Sequence, residues 1–154
     1  MKAFVTGVGG QLGHDVMGEL AKRGYECAGS DIIESADSSY PYFQLDITNA
    51  EAVDKAISKV KPDVVIHCAA WTAVDAAEDE ENQPKVRLVN VTGTQNIADV
   101  CKELDIKMLY LSTDYVFDGQ GTTPWEPDCK DYKPLNVYGQ TKLDGELAVS
   151  GTVD

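Results

Sequence analysis

Short apolar runs alternate with segments of helical periodicity along most of the chain. Five runs have the length and composition of buried strands, and they cover Lys2–Thr6, Glu26–Ser30, Tyr42–Leu45, Asp63–Cys68 and Lys107–Ser112. The fourth run is apolar almost throughout, which is typical of a strand with both faces covered. Apolar residues recur every three or four positions between the runs and after the last one. This spacing predicts helices over Gln11–Arg23, from Thr48 or Asn49 to Val60, over Lys85–Leu104, and from Asn136 or Val137 to Val149.

Strands that alternate with helices at these lengths predict an α/β fold with a doubly wound parallel sheet. A chain of 154 residues predicts one domain. The alternation stops after the last helix, where a sixth strand is due. The pattern therefore predicts an N-terminal portion of a longer protein, truncated before its next domain.

The charge of the chain excludes some classes of partner. Thirteen Lys and Arg residues against 26 Asp and Glu give a net charge of −13, which opposes contact with nucleic acid or an anionic membrane. The four cysteines form no CxxC pair and the chain has two histidines, so we expect no metal site. Without a signal-peptide-like run or a long apolar stretch, the sequence favours a cytoplasmic location.

Three glycines follow the first predicted strand directly, at Gly7, Gly10 and Gly13. Glycine at this spacing permits a tight turn and a close approach of the backbone to a pyrophosphate. The N-terminus of the next helix supplies unpaired N–H groups to the same phosphates. A plain strand-to-helix turn also favours glycine. The position between strand and helix nevertheless predicts a Rossmann-type dinucleotide-binding domain over residues 1–154.

The ends of the next predicted strands carry further candidate residues. Asp31 ends the second strand, where a carboxylate can bind an adenosine ribose and repel a 2′-phosphate. The chain has only two arginines, Arg23 and Arg87, and neither is in the adjoining segment, which favours NAD over NADP. A solvated loop aspartate is the alternative interpretation of Asp31. Asp46 and Ile47 end the third strand, where adenine can lie against the backbone.

Small residues follow the fourth strand at Ala69 and Ala70, and they would let a cofactor pass close to the backbone. Tight packing explains these two alanines equally well. Trp71 then forms a wall of the site or part of the core. His67, inside the apolar strand, is interpreted as a core histidine with satisfied hydrogen bonds. The acidic run 75–81 is interpreted as a solvated face.

Tyr138 and Lys142 are four residues apart in the last predicted helix and so share a face. A neighbouring ammonium favours tyrosinate, which would bring the pKa of the phenol towards a value useful for acid–base chemistry. A surface pair is the alternative. Thr113 and Asp114 leave the fifth strand at the ligand-binding edge of such sheets, where a hydroxyl can bind a substrate carbonyl. A strand-end turn also favours Ser, Thr and Asp.

Three segments, Cys68–Asp75, Ser112–Gly119 and Pro134–Leu143, are more specific than the glycines. With Gly7 to Lys142 as a whole, they resemble the extended short-chain dehydrogenase/reductase family, and within it reductases of dTDP-linked 4-keto sugars. The resemblance implies reduction of a dTDP-sugar with NADH or NADPH, the last step of dTDP-L-rhamnose synthesis.

The resemblance also implies individual roles. Tyr138 would protonate the developing alkoxide, and Lys142 would tune Tyr138 and hold the nicotinamide ribose. Thr113 would orient the carbonyl, and Asp114 would contact the substrate. The matching cofactor-lining positions are Gly10, Gln11, Leu12, Asp31, Asp46, Ile47, Ala69, Ala70, Trp71 and Leu111.

Family members continue beyond this length, and their carboxy-terminal part builds the sugar-nucleotide pocket. The chain alone is therefore expected to be weakly active or inactive, and its unpaired sheet edge favours self-association, for example as a homodimer. Two other functions stay open. One is a non-catalytic dinucleotide-binding subunit like the β subunit of methionine adenosyltransferase, and the other is a sugar-nucleotide epimerase or dehydratase. Thr113, Tyr138 and Lys142 favour the reductase.

Overall fold

One parallel sheet organises the chain. The computed structural model describes residues 1–34 and 39–153. Within them the strands are β1 (Lys2–Thr6), β2 (Glu26–Asp31), β3 (Tyr42–Gln44), β4 (Val64–His67) and β5 (Lys107–Tyr110). Their order is β3-β2-β1-β4-β5 and every neighbouring pair is parallel. The predicted strands are confirmed, some of them a residue or two shorter than expected.

Helices cover both faces of the sheet, as the doubly wound fold predicts. The α-helices are α1 (Gln11–Lys22), α2 (Ala50–Val60), α3 (Gln83–Arg87), α4 (Thr94–Glu103) and α5 (Val137–Ser150). Short 3-10 turns occupy Asp75–Glu78 and Asp114–Val116. Among the described residues, no helix combines the length and apolar character needed to cross a membrane.

The predicted helix over Lys85–Leu104 contains an interruption. Helices α3 and α4 are joined through Leu88–Gly93, which forms a π-helical turn, and the backbone keeps helical dihedral angles at both junctions. The apolar spacing of three and four residues does not distinguish a π turn from an α turn. Such turns occur often at functional sites.

Strand β1 divides the core into two halves because its side chains alternate between the faces of the sheet. Phe4 points to the side that holds Ile57 of α2 and Ile97 of α4, and all three are fully buried. Ala3 and Val5 belong to a second cluster with Met17 and Leu20 of α1. The sheet is therefore buried on both faces, which explains the continuous apolar character of its central strands.

Asparagine side chains cap two of the helices. Asn49 accepts a hydrogen bond from the Ala52 N–H at 3.0 Å and begins α2. Asn136 accepts one from the Gly139 N–H at 2.7 Å and begins α5. Helix α1 differs, because Gly10 at its N-cap has no side chain to offer.

Candidate active site

A cavity of about 670 Å³ opens where all five strands end. The chain crosses from one half of the sheet to the other after β3, so the strand order reverses between β1 and β4, and ligands of such sheets bind at this point. Most of the residues predicted to contact a cofactor line the cavity: Gly7, Gly10, Gln11, Leu12, Gly13, Asp31, Asp46, Ile47, Ala69, Ala70, Leu111, Tyr138 and Lys142.

The glycine loop lies too close to its neighbours for side chains. Gly7 has a φ of +74°, and a Cβ there would lie 2.6 Å from the backbone nitrogen of Ala69. A Cβ on Gly13 would overlap the carbonyl oxygen of Gly7. Both glycines are required by the turn and by the packing of β1, β4 and α1, as the sequence predicts.

The first turn of α1 opens on the cavity through Gln11 and Leu12. It contains no acidic residue and has no side-chain cap. Its N–H groups and the positive end of its dipole therefore favour an anion. Nearby, the Ser30 hydroxyl is buried in the cavity lining without a hydrogen-bond partner among the described residues. These features fit the phosphates and hydroxyls of a dinucleotide.

Asp31 is fixed at the edge of the cavity by backbone donors. The Gly9 N–H donates to Oδ2 at 2.9 Å, and the Ile32 N–H donates to Oδ1 at 2.7 Å. The carboxylate therefore joins the glycine loop to the end of β2. This is the position that the sequence predicts for a ribose acceptor.

Lys142 is buried in the wall of the cavity, with 5% of its surface exposed. Its ammonium donates to the Leu111 carbonyl at 2.6 Å and lies 4.2 Å from the centre of the Tyr110 ring. Burial lowers the pKa of Lys142 to about 8, although the negative charge of Glu146 opposes the shift. The side chain is therefore still mostly protonated at neutral pH.

Tyr138 lines the same cavity one helical turn before Lys142. Burial raises the pKa of Tyr138, and the neighbouring Thr113 hydroxyl opposes this only in part. Lys142 is not among the groups that shift the pKa of Tyr138, and its ammonium donates to the Leu111 carbonyl. The predicted lowering of the Tyr138 pKa by Lys142 is therefore wrong for this structure, and the phenol holds its proton at neutral pH.

Thr113 and Asp114, the predicted substrate residues, line a second cavity of about 420 Å³. Ser112 lines both cavities, so they adjoin at the end of β5. Thr113 Oγ1 donates to Asp114 Oδ1 and accepts from the Tyr115 N–H, each at 3.3 Å. The remaining lining residues are Val116, Phe117, Trp125, Glu126, Pro127, Cys129, Tyr132 and Glu146.

Trp71 does not line either cavity. Its indole N–H donates to the Ala73 carbonyl at 3.2 Å, and Lys85 lies over its ring. The structure therefore does not place Trp71 in the wall of the cofactor cavity. The indole instead contacts the Ala73 carbonyl and the Lys85 ammonium.

His67 is a core histidine, as predicted. Its Nδ1 lies 2.7 Å from the Thr6 hydroxyl and its Nε2 lies 3.1 Å from the Thr94 hydroxyl. Burial lowers the pKa of His67 to about 3, and the charge of Lys142 contributes. The imidazole is neutral over the physiological range and joins β4 to β1 and α4.

Asn90 is a structural link that the sequence pattern does not reveal. This buried residue of the π-helical turn accepts from the Trp71 N–H at 2.8 Å and donates to the Trp71 carbonyl and the Thr141 hydroxyl, each at 3.1 Å. It therefore joins the end of β4 to α5. The only signal in the sequence is an amide among apolar residues of a predicted helix.

The sheet order and the glycine loop define a Rossmann-like α/β protein. The chain belongs to the RmlD substrate binding domain family, which it matches over residues 1–154. It is 40% identical over 150 residues to dTDP-4-dehydrorhamnose reductase of Shigella flexneri, covering 97% of this chain and 46% of the relative. It is 39% identical over 149 residues to the probable low-salt glycan biosynthesis reductase Agl14 of Haloferax volcanii, covering 97% of this chain and 49% of the relative.

A solved structure shows the same architecture. The dTDP-4-dehydrorhamnose reductase of Bacillus anthracis str. Ames, in complex with NADP, superposes with a TM-score of 0.83 at 32% identity. The match covers 99% of this chain and 50% of that one. The chain thus spans about half the length of the relatives it matches.

Proposed function

We propose that this chain is the dinucleotide-binding domain of an NADH- or NADPH-dependent reductase. The proposed reaction converts the 4-keto group of dTDP-4-dehydro-L-rhamnose to the hydroxyl of dTDP-L-rhamnose. Relatives named as dTDP-4-dehydrorhamnose reductases support this substrate. The observation that carries the proposal is the cluster of Tyr138, Lys142 and Thr113 beside the cavity of the glycine loop.

The cofactor would lie along the ends of the strands. In the proposal, the first turn of α1 binds the pyrophosphate, Asp31 binds the adenosine ribose, and Asp46 with Ile47 borders the adenine. Ala69, Ala70 and Leu111 border the path towards Tyr138 and Lys142. A bound reduced nicotinamide supplies the hydride. Asp31 favours NADH because its carboxylate repels a 2′-phosphate, whereas the relative from Bacillus anthracis contains NADP.

In the proposal, a residue of the chain donates the proton. Tyr138 is neutral in its buried position and donates its phenolic proton to the oxygen of C4 as negative charge develops there. The Thr113 hydroxyl donates a hydrogen bond to the same oxygen, and Asp114 contacts the sugar. Lys142 holds the nicotinamide ribose with its ammonium. The carbonyl thus gains one hydride and one proton and becomes the alcohol.

The Tyr138→Phe variant tests this proposal in the full-length protein. Removal of the proton donor should lower kcat by at least about 100-fold. The Kd for NADH should stay within about twofold because the rest of the cavity is unchanged. The assay follows the oxidation of NADH and the reduced sugar together, and Tyr25→Phe is the control, because Tyr25 is an exposed tyrosine directly before β2.

Three outcomes of this assay separate the candidate functions. A reductase oxidises one equivalent of NADH for each sugar that it reduces. An epimerase or dehydratase converts the sugar without net oxidation, and a binding subunit holds NADH without turnover. Turnover by Tyr138→Phe close to that of the unsubstituted protein would refute the role of Tyr138. The cytoplasmic location and the homodimer stay predictions.

A further inference from the structure

Three consecutive residues at the end of β5, Tyr110 to Ser112, are bound to one face of α5. The Tyr110 hydroxyl donates to the Lys142 carbonyl at 3.0 Å, and the Lys142 ammonium donates to the Leu111 carbonyl at 2.6 Å. The Ser112 hydroxyl donates to Glu146 Oε2 at 2.5 Å. The next residue is Thr113, whose hydroxyl lies beside Tyr138. The segment that carries Thr113 is therefore held against the helix that carries Tyr138.

Glu146 joins two segments through its two oxygens. While Oε2 accepts from Ser112, Oε1 accepts from the Tyr132 hydroxyl at 2.8 Å. Tyr132 belongs to the segment that precedes α5 and stacks on Phe117, with ring centres 5.7 Å apart. An ionised carboxylate accepts at both oxygens, whereas an amide offers only one acceptor oxygen. The carboxylate is therefore the group that can bind both segments at once.

We propose, on the basis of the proposed reductase function, that Glu146 is a positioning residue of the site. It holds Ser112 against α5 and thereby fixes the Thr113 hydroxyl beside Tyr138, while it holds the Tyr132 segment over the second cavity. Glu146 does not touch the reacting groups itself. It acts through Ser112 and Thr113.

Electrostatics supports the same role. The charge of Glu146 opposes the lowering of the Lys142 pKa that burial produces. The other titratable groups around this ammonium are Cys68 and His67 at the end of β4 and Tyr110 of β5. These three side chains are neutral at pH 7, so Glu146 is the charged group beside the ammonium. Its loss should therefore lower the pKa of Lys142 further.

The Glu146→Gln variant tests the proposal in the full-length protein. We expect kcat for reduction to fall about tenfold or more, because a small displacement of Thr113 misaligns the carbonyl. KM for NADH should change by no more than about twofold, since Glu146 does not line the cofactor cavity. The alkaline limb of the pH profile of kcat should shift to lower pH. A purely structural role would change stability but neither this limb nor the split between kcat and KM.

Asp144→Asn is the matched control, because it removes the same charge from the same helix. Asp144 binds Arg87 at 2.9 Å and Gln140 at 2.8 Å, away from Ser112. It should leave kcat and the pH profile unchanged. Ser112→Ala should reproduce the direction of the loss in kcat, and the double variant with Glu146→Gln should be no slower than Glu146→Gln alone. Kinetics of Glu146→Gln equal to those of Asp144→Asn would overturn the proposal.

A measurement without turnover separates this proposal from the proposed function. The pKa of Lys142, followed by NMR of labelled lysine side chains, should be lower in Glu146→Gln than in Asp144→Asn. If the unsubstituted protein fails to reduce the sugar, the proposed function fails. A lower Lys142 pKa in Glu146→Gln would then still support the link between Glu146 and the site, and an unchanged pKa would refute it.

Discussion

At the scale of single residues, Lys142 is a buried cation, which is costly to a fold. Lys142 keeps its ammonium where solvent is largely excluded, with the Leu111 carbonyl as its hydrogen-bond partner. The four-residue spacing to Tyr138 predicts that the two side chains share a face. It does not predict the carbonyl partner, because that depends on how β5 packs against α5. The spacing therefore locates the pair correctly but does not predict its electrostatics.

Lys142→Met should stabilise the fold at pH 7 by about 1–3 kcal/mol, because methionine fills the space without a buried charge. Lys142 has a folded pKa of about 8 against 10.5 in the unfolded chain. The unfolded chain therefore binds more protons between these values, and the unsubstituted protein gains stability as the pH rises through them. The advantage of the variant should shrink over the same range. Urea unfolding at several pH values measures this, and an advantage independent of pH would contradict it.

His67 should make the fold sensitive to acid. Its pKa is about 3 in the fold against 6.5 in the unfolded chain, so the unfolded chain binds the extra proton between these values. Stability is then fully present above pH 6.5 and is lost as the pH falls. His67→Gln should reduce the dependence of the free energy of unfolding on pH by up to about 1.4 kcal/mol per pH unit between pH 6.5 and 5. Denaturant unfolding measures the slope, and an unchanged slope would exclude a neutral buried imidazole.

At the scale of elements, the close docking of α5 explains how the site is assembled. Gly139 and Gly145 let the helix approach its neighbours, and a Cβ on Gly145 would lie 2.6 Å from both the Asn90 carbonyl and the Tyr110 hydroxyl. Periodicity predicts the helix and its beginning at Asn136 or Val137. It does not predict the contacts of these glycines or the π-helical turn of Leu88–Gly93, because both depend on partners distant in sequence.

Gly145→Ala should destabilise the fold by about 1–3 kcal/mol, because the added methyl group pushes α5 away from Asn90 and Tyr110. Gly18→Ala is the control, since a methyl group on Gly18 of α1 would meet no atom of the described residues within 4 Å. It should stabilise the fold by about 0.5–1 kcal/mol through helix propensity alone. Thermal unfolding compares the two variants. Equal shifts would refute close docking at Gly145.

At the scale of the whole molecule, the pattern of the sequence predicts the class of fold and the edge at which ligands bind. Residues from the ends of all five strands meet there because the strands are parallel. Trp71 is the exception, since its position after β4 says nothing about the direction of its side chain. The roles of Asn90 and Glu146 could not be predicted because their partners come from distant segments. Polar residues with such partners have no local pattern.

A fluorescence titration with NADH tests whether these 154 residues form a dinucleotide-binding domain. We expect saturable binding at one site. Asp31→Ala should raise the Kd for NADH by about tenfold, because it removes hydrogen bonds between a charged group and the ribose. The Kd for NADPH should rise less, since the variant also removes the repulsion between the carboxylate and the 2′-phosphate.

Asp54→Ala, an aspartate of α2 that binds only Ser58 among the described residues, is the matched control and should bind NADH as the unsubstituted chain does. Circular dichroism establishes that each variant is folded. We expect saturable binding that Asp31→Ala weakens and Asp54→Ala preserves. A folded chain that shows no saturable change with NADH or NADPH would contradict the assignment of a dinucleotide-binding domain.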